Sequence, residues 1–124
     1  MNQSTLIRYE LPNDILVVHV QDTSSATIQD WYYSSVEEMN DYTEPVKRMY
    51  DMRDLSSISI EAVRTAVKIR RHPNAHFVYT AVLTNNSSVL ALVRASLSVQ
   101  GEGNIKLFTH ENEAIAWLHE KVPS

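Results

Sequence analysis

The stretch YDMRDLSSISIEAV, residues 50–63, carries the densest group of potentially reactive side chains in this sequence. Asp51, Arg53 and Asp54 offer two carboxylates and a guanidinium, and three serines follow within five residues of Asp54. Paired carboxylates can exchange protons, a guanidinium can clamp an anion, and a serine at a helix start can be phosphorylated or can cap the helix. A three-residue spacing between two acids favours a capping or solvated role over catalysis.

The composition of the chain limits the kinds of protein to which these residues can belong. The chain has 124 residues, 44% of them hydrophobic and 21% charged, which predicts one globular domain spanning residues 1–124. The net charge is −4 and no basic cluster is larger than KIRR at 68–71, so we expect no nucleic-acid surface. No apolar run approaches the roughly 20 residues that cross a bilayer, which predicts a cytoplasmic protein without a membrane span.

Missing residue types exclude several kinds of chemistry. The sequence has no cysteine, which rules out thiol catalysis, disulfides, cysteine zinc sites and iron-sulfur clusters. Its two glycines, Gly101 and Gly103, share one loop, so no glycine-rich phosphate loop or nucleophile elbow is present. The five histidines follow no metal-ligand spacing. We therefore expect no metal, no cofactor and no catalytic residues.

Hydrophobic periodicity divides the chain into alternating strands and helices. Ser24 or Ser25 is expected to cap the first helix, and Pro45 prevents that helix from continuing. In the second helix the pattern places Ile60, Val63 and Ala66 inward with Val67. The predicted strands are 5–11, 14–20, 45–52, 76–83 and 104–108, and the predicted helices begin at Thr27 or cover 60–71, 89–99 and 109–122.

The order β-β-α-β-α-β-α-β-α predicts an α/β domain. We expect a single-layer, mostly parallel sheet of about five strands, opened by an antiparallel hairpin and accompanied by about four helices. The run HFVYTAVL, residues 76–83, is apolar on both faces and is the predicted centre of the sheet.

The element order, MYDMRDLSSISIEAV at 49–63 and IKLFTHENEAIAWLHE at 105–120 resemble the STAS superfamily, the fold of bacterial anti-sigma-factor antagonists. They resemble especially its SpoIIAA-like branch, which is also likened to the CRAL-TRIO lipid-binding fold. The strongest similarity is the closing strand and helix, with Phe108, Thr109, Ala114, Trp117 and Leu118. The resemblance implies a non-catalytic protein-interaction or regulatory module with a STAS-like fold.

One motif of that superfamily is not matched here. In the signalling antagonists, a stretch like 54–60 is followed by Asp-Ser-(Ser/Thr/Ala)-Gly, whose serine is phosphorylated. At the corresponding places this chain has Ala62 and Val63, and no glycine follows. We expect the phosphoserine motif to be absent, with Ser57 and Ser59 as displaced phosphorylation candidates that more simply cap a helix.

The carboxyl ends of parallel strands and the starts of the following helices share one edge of such a sheet, where ligands usually bind. We call this edge the strand-end rim. An anion held there by backbone N–H groups and Arg53 is one interpretation; helix capping and pairing of Arg53 with Asp51 or Asp54 is the other. The residues predicted at the rim are Asp51, Arg53, Asp54, Ser57, Ser59, Asn85, Asn86, Ser87, Thr109 and His110.

The third helix, SVLALVRASLSV at 88–99, is apolar around more of its surface than packing on one sheet face requires. Burial by neighbouring elements, a homodimer contact and a pocket for a small apolar or anionic ligand all remain open. The expected partners are a second copy of the chain, another regulatory protein, or a small ligand that the chain carries or senses. The candidate residues for the dimer or the pocket are Val89, Leu90, Leu92, Val93 and Leu97.

Overall fold

The computed structural model describes residues 3–100 and 104–123. Within these ranges it has five strands and four α-helices in the predicted order. A short 3₁₀ turn, Ala75–Phe77, precedes the fourth strand. The elements are β1 (Ile7–Leu11), β2 (Ile15–His19), α1 (Ser25–Asn40), β3 (Val46–Asp51), α2 (Ile60–Arg70), β4 (Val78–Leu83), α3 (Ser87–Gln100), β5 (Ile105–Phe108) and α4 (Glu111–Lys121).

The five strands form one sheet in the order β1-β2-β3-β4-β5. β1 pairs antiparallel with β2, and the remaining neighbours pair in parallel, which confirms the predicted fold class. The prediction that 76–83 forms the centre of the sheet is wrong, because β3 is the middle strand and β4 lies beside it. Burial on both faces is common to every interior strand, so an apolar run does not distinguish the central strand from its neighbour.

The hairpin between β1 and β2 depends on two residues with positive φ. Leu11 pairs with Ile15, and Asn13 and Asp14 in the turn have φ values of 73° and 64°. Asn and Asp enter this left-handed region more readily than most residues because their short polar side chains bond locally. The turn sequence therefore sets the register in which β1 joins the sheet.

Short polar side chains begin three of the helices. The Ser24 hydroxyl accepts a hydrogen bond from Thr27 N, and the Ser59 hydroxyl accepts one from Ala62 N at 3.1 Å. Asn86 Oδ1 accepts from the backbone N–H groups of Ser88 and Val89. Each bond satisfies a backbone donor that has no partner within the helix.

The predicted inward face of α2 requires a correction. Ile60 is 70% exposed, and the buried residues of the helix are Ala62, Thr65 and Ile69. Ile60 is the first residue after the Ser59 cap, so it lies at the end of the helix where no neighbouring element covers it. Periodicity assigns a residue to a helix face but does not show how far the covering element extends.

One face of the sheet is closed by α4 alone. Met49, Ala81 and Leu83 from the central strands pack with Ala114 and Leu118 of α4, and all are fully buried. Phe108 and Trp117 add a tilted ring contact with centroids 5.8 Å apart. The closing motif of the sequence is therefore the source of this core.

The opposite face carries α1, α2 and α3. Consecutive parallel strands placed side by side, each joined to the next by a right-handed crossover, bring all three connecting helices to the same face. α1 and α2 pack together around Met39, Ile69 and Val78. The space beside them, under α3, is less completely filled.

The α4 core supplies a stability test. We expect Leu118→Ala to lower the free energy of unfolding by about 2–5 kcal/mol, because the fully buried side chain leaves a void when it is truncated. Ile60→Ala is the matched control and should change stability by no more than about 0.5 kcal/mol, since Ile60 is exposed. Urea unfolding followed by circular dichroism measures both, and equal losses would contradict the assigned packing.

Candidate functional site

A cavity of about 430 Å³ lies between the sheet and helices α1, α2 and α3. We call it the α3 cavity. Its volume is within the range of about 300–1,000 Å³ that is typical of small-molecule sites. Its walls are mainly apolar and include Ile28 and Trp31 from α1, Ala66 and Ile69 from α2, Leu92, Val93 and Leu97 from α3, and Val78, Val82 and Ile105 from the sheet.

Small side chains leave this space open. Ala62 and Ala66 face it from α2, Ser96 faces it from α3, and Thr80 forms part of its floor. Protein interiors are normally packed to the density of organic crystals, so an interior gap of this size marks a departure from ordinary core packing. The gap lies in a fold whose other face is closed tightly by α4.

The predicted α3 residues divide between the cavity and its surroundings. Leu92, Val93 and Leu97 line the cavity, whereas Val89 is fully buried near the start of the helix and Leu90 is half-buried outside the cavity. Leu92 is nevertheless 42% exposed, so its side chain also reaches the surface. The extra apolar surface of α3 that the sequence indicates is thus partly a wall of the cavity and partly exposed.

Arg48, on β3, is the most deeply buried charged side chain that lines the α3 cavity. Only 2% of it is exposed. Its Nη2 donates to the Tyr42 hydroxyl at 2.7 Å and reaches Glu38 Oε1 at 3.4 Å. Burial works against the charge of Arg48, but Tyr50, Tyr42 and Glu38 outweigh it and raise the pKa of the guanidinium above its ordinary value. Arg48 therefore stays a cation inside an apolar cavity.

Glu38 is shared between two guanidinium groups. Besides Arg48, it forms an ion pair with Arg8 of β1 through its second carboxylate oxygen. Arg8 also donates to the Ser34 hydroxyl at 3.2 Å, so the group links β1, α1 and β3. Glu38 therefore divides one negative charge between two guanidinium groups.

Other polar groups line the α3 cavity. Asp22 accepts hydrogen bonds from the Thr5 hydroxyl and the Ser24 backbone, and these bonds lower the pKa of its carboxyl far below the ordinary value. Arg70 brings a second guanidinium, whose pKa is lowered by burial. The cavity is therefore apolar in bulk with a few charged groups, the composition expected of a ligand site.

Trp31 and Tyr50 form one wall of the cavity. Trp31 Nε1 donates to the Tyr50 hydroxyl at 3.0 Å, and the two rings meet edge to face with centroids 5.9 Å apart. This pair joins α1 to β3.

The residues predicted at the strand-end rim do not line the α3 cavity, although Met52 and Ile58 of the same stretch do. Arg53 clamps Asp51 with two hydrogen bonds, Nε to Oδ1 at 3.0 Å and Nη2 to Oδ2 at 2.8 Å. Burial favours the protonated acid, yet the hydrogen bonds from Arg53 prevail and lower the pKa of Asp51. Asp54 pairs with His19 Nε2 at 2.8 Å. Asp51, Arg53 and Asp54 are thus engaged with protein partners.

The remaining predicted rim residues act as caps or lie exposed. Ser59 caps α2 and Asn86 caps α3, as described above. His110 precedes α4 without a side-chain capping bond. The structure brings none of the predicted rim residues into the α3 cavity, and those exposed to solvent are Ser57, Asn85, Ser87, Thr109 and His110.

Two further observations concern the described part of the chain. Across residues 3–100 and 104–123, no group of three histidine or acidic side chains is arranged to hold a metal ion. In those same ranges no helix has the length and apolar character needed to cross a membrane.

Sequence reasoning did not identify Arg48. The β character of VKRMYD predicts a strand but indicates no role for the arginine within it. A charged residue in a strand that pairs with a neighbouring strand on each side is itself a signal in the sequence, because such a residue is buried and its charge needs a partner. The sheet register is needed to decide whether the Arg48 side chain lies on the cavity face or on the α4 face of the sheet.

Comparison with known proteins agrees with this architecture. A family model described as SpoIIAA-like matches residues 15–119. No curated protein is matched by the sequence. Among solved structures, a candidate anti-sigma factor antagonist from Thermotoga maritima aligns with a TM-score of 0.71 and 13% identity, covering 92% of this chain and 94% of that one.

A second solved structure is similar over nearly the whole chain. A substituted form of RsbS from Moorella thermoacetica aligns with a TM-score of 0.72 at 11% identity. The alignment covers 98% of this chain and 100% of RsbS. At these identities the two likenesses establish a common fold.

The Asp51–Arg53 pair yields a pH-dependent prediction. We expect Asp51→Asn to lower the free energy of unfolding by about 1.5–3 kcal/mol at pH 7, since it removes charge-assisted hydrogen bonds from a buried carboxylate. The folded pKa is depressed, so this stabilisation is fully present above the unfolded value near pH 3.9 and is lost as the pH falls through the folded value. Urea unfolding from pH 7 to pH 2.5 should show the difference shrinking.

The control for this pair is Asp54→Asn. Asp54 is mostly exposed, so its pair with His19 contributes only about 0–1 kcal/mol. A loss at Asp51 that is no larger than the loss at Asp54, or one that persists unchanged at pH 2.5, would contradict the role assigned to Arg53.

Proposed function

The chain belongs to the SpoIIAA-like family, and from this premise we propose that it is a non-catalytic cytoplasmic module that binds a small ligand in the α3 cavity. The observation that carries the proposal is the cavity itself, about 430 Å³ of mainly apolar space with few charged groups. A module that acts through surface contacts alone is expected to have a filled core, because an interior gap contributes nothing to such contacts. A protein that carries or senses a small ligand needs an interior space to hold that ligand.

The position of the cavity also supports the proposal. It lies beneath α3, whose residues Leu92 and Leu97 contribute to its wall while Leu92 remains partly exposed. A ligand entering there replaces water against apolar side chains, and burial of apolar surface contributes roughly 25 cal/mol per Å². α3 then becomes the element whose packing depends on whether the cavity is occupied.

A dye-binding assay tests this function. Nile red, a neutral apolar dye, should fluoresce strongly on binding the wild-type protein, and Ala66→Phe should weaken that binding at least about tenfold by filling the cavity from α2. Ala91→Phe is the control, because Ala91 is exposed on α3 and does not line the cavity. Circular dichroism confirms that both variants fold.

The assay has two contrary outcomes. Absence of dye binding by the wild-type protein would remove the ligand-binding function. Undiminished binding by a folded Ala66→Phe variant would place the dye outside the α3 cavity.

A second proposed function is regulation through protein contact, in which the chain binds a second copy of itself or another regulatory protein. Its support is the similarity to a candidate anti-sigma factor antagonist and to RsbS. The exposed part of Leu92 provides an apolar contact on the surface of α3. No phosphoserine switch is included, because Ala62 and Val63, which stand where its acid and serine would fall, line the α3 cavity.

Native mass spectrometry of the protein purified from its own host tests this second function. We expect a homodimer that Leu92→Arg converts to a monomer, since a charge at an apolar contact is left unpaired. Tyr33→Arg, on the exposed side of α1, should leave the dimer intact. A wild-type protein that is only monomeric, without any bound protein, would refute the contact role.

A further inference from the structure

Resting on the proposed ligand-binding function, the geometry points to a more specific ligand. We propose that the α3 cavity binds an amphipathic carboxylate, an apolar body with one negative head group, and that Arg48 Nε–H donates to that head group. The inference concerns the chemical class of the ligand and the residue that selects it.

The state of Arg48 is the first observation. The side chain is 2% exposed and lines the cavity, and its Nη2 donates to Tyr42 and Glu38. Its Nε is buried and has no hydrogen-bond partner among the described residues. A buried donor without an acceptor is costly, and most such groups in native proteins are satisfied by protein, water or a ligand.

The charge around Arg48 is the second observation. Glu38 approaches Arg48 only at 3.4 Å and is also bound by Arg8, so it does not balance both guanidinium groups. Asp22 also lines the cavity and keeps its negative charge, because its hydrogen bonds come from neutral donors, the Thr5 hydroxyl and the Ser24 backbone. A negative head group is therefore favoured beside Arg48 and disfavoured beside Asp22.

The apolar walls of the cavity determine the chemical character and size of the rest of the ligand. Aliphatic and aromatic side chains from α1, α2, α3 and the sheet surround the space away from Arg48. If each non-hydrogen atom takes roughly 30 Å³, the volume of a water molecule in the liquid, then about 430 Å³ accommodates a chain of about ten carbons with its carboxylate. Decanoate is a probe of this size and charge.

Two probes of equal chain length separate the head group from the apolar body. At pH 7.5 and below their solubility limits, decanoate and 1-decanol compete with Nile red for the wild-type protein. We expect decanoate to bind at least about tenfold more tightly than 1-decanol, because only the carboxylate makes charge-assisted hydrogen bonds with Arg48. Arg48→Met should abolish this preference while leaving the affinity for 1-decanol nearly unchanged.

Arg64→Met is the matched control, since Arg64 is exposed on α2 and does not line the cavity. It should keep the full preference for decanoate. A second measurement avoids dependence on the folding of the Arg48→Met variant: the Arg48 Nε–H signal in a ¹H–¹⁵N spectrum of the wild-type protein, assigned by its absence from Arg48→Lys, should move with decanoate and stay in place with 1-decanol.

The outcomes distinguish the inference from the function on which it rests. Equal binding of decanoate and 1-decanol overturns the carboxylate assignment and leaves a neutral-ligand cavity. Failure of both probes and of Nile red overturns the ligand-binding function as well. A preference that survives in folded Arg48→Met, or an Arg48 Nε–H signal unaffected by decanoate, overturns the role of Arg48.

Discussion

Parallel pairing of β2, β3, β4 and β5 in chain order constrains the rest of this structure. Right-handed crossovers between such strands put α1, α2 and α3 on one face, and only α4 is left for the other. On the α4 face, Ala114 and Leu118 are fully buried against the central strands. On the opposite face α1 and α2 pack together, and the small residues beneath α3 leave a cavity where a larger side chain would have completed the core.

The buried arginine on β3 gives that cavity its chemical character. A guanidinium removed from water is stable only when hydrogen bonds and opposite charges replace its hydration. Tyr42 and Tyr50 supply part of that replacement, and Glu38 supplies a carboxylate that it divides with Arg8. The fold thus retains a charge at a place where an apolar residue of similar size would satisfy packing alone.

The motif that first suggested chemistry has a more modest place. In the stretch from Asp51 to Ser59, the first acid is clamped by Arg53 and the last serine caps α2. Asp54 joins His19 at the end of β2, so the motif fastens the exit of β3 to neighbouring elements. Its polar residues stabilise the strand-end rim, while the apolar side chains that follow it, Ala62 and Val63, form a wall of the cavity.

Much of the architecture follows from local pattern in the sequence. Alternation of strand and helix periods predicts the element order and the mixed sheet. Short polar residues before apolar runs indicate caps at Ser24 or Ser25 and at Ser57 or Ser59, and the structure shows the capping bonds at Ser24 and Ser59. Those signals are local because capping bonds and side-chain periods involve residues only a few positions apart. The apolar excess of α3 leaves burial, a contact and a pocket open, and Leu92, Val93 and Leu97 line the α3 cavity.

Tertiary structure decided what depends on distant residues. Which elements meet in space decides that β3 rather than β4 is central and that Ile60 is exposed. It also decides that Arg48 lines the α3 cavity. The cavity is a difference between the volume that three helices and a sheet enclose and the volume that their side chains occupy. Both volumes depend on several elements at once. The sequence of each element therefore indicates which residues can form the cavity walls, but not how much space remains between them.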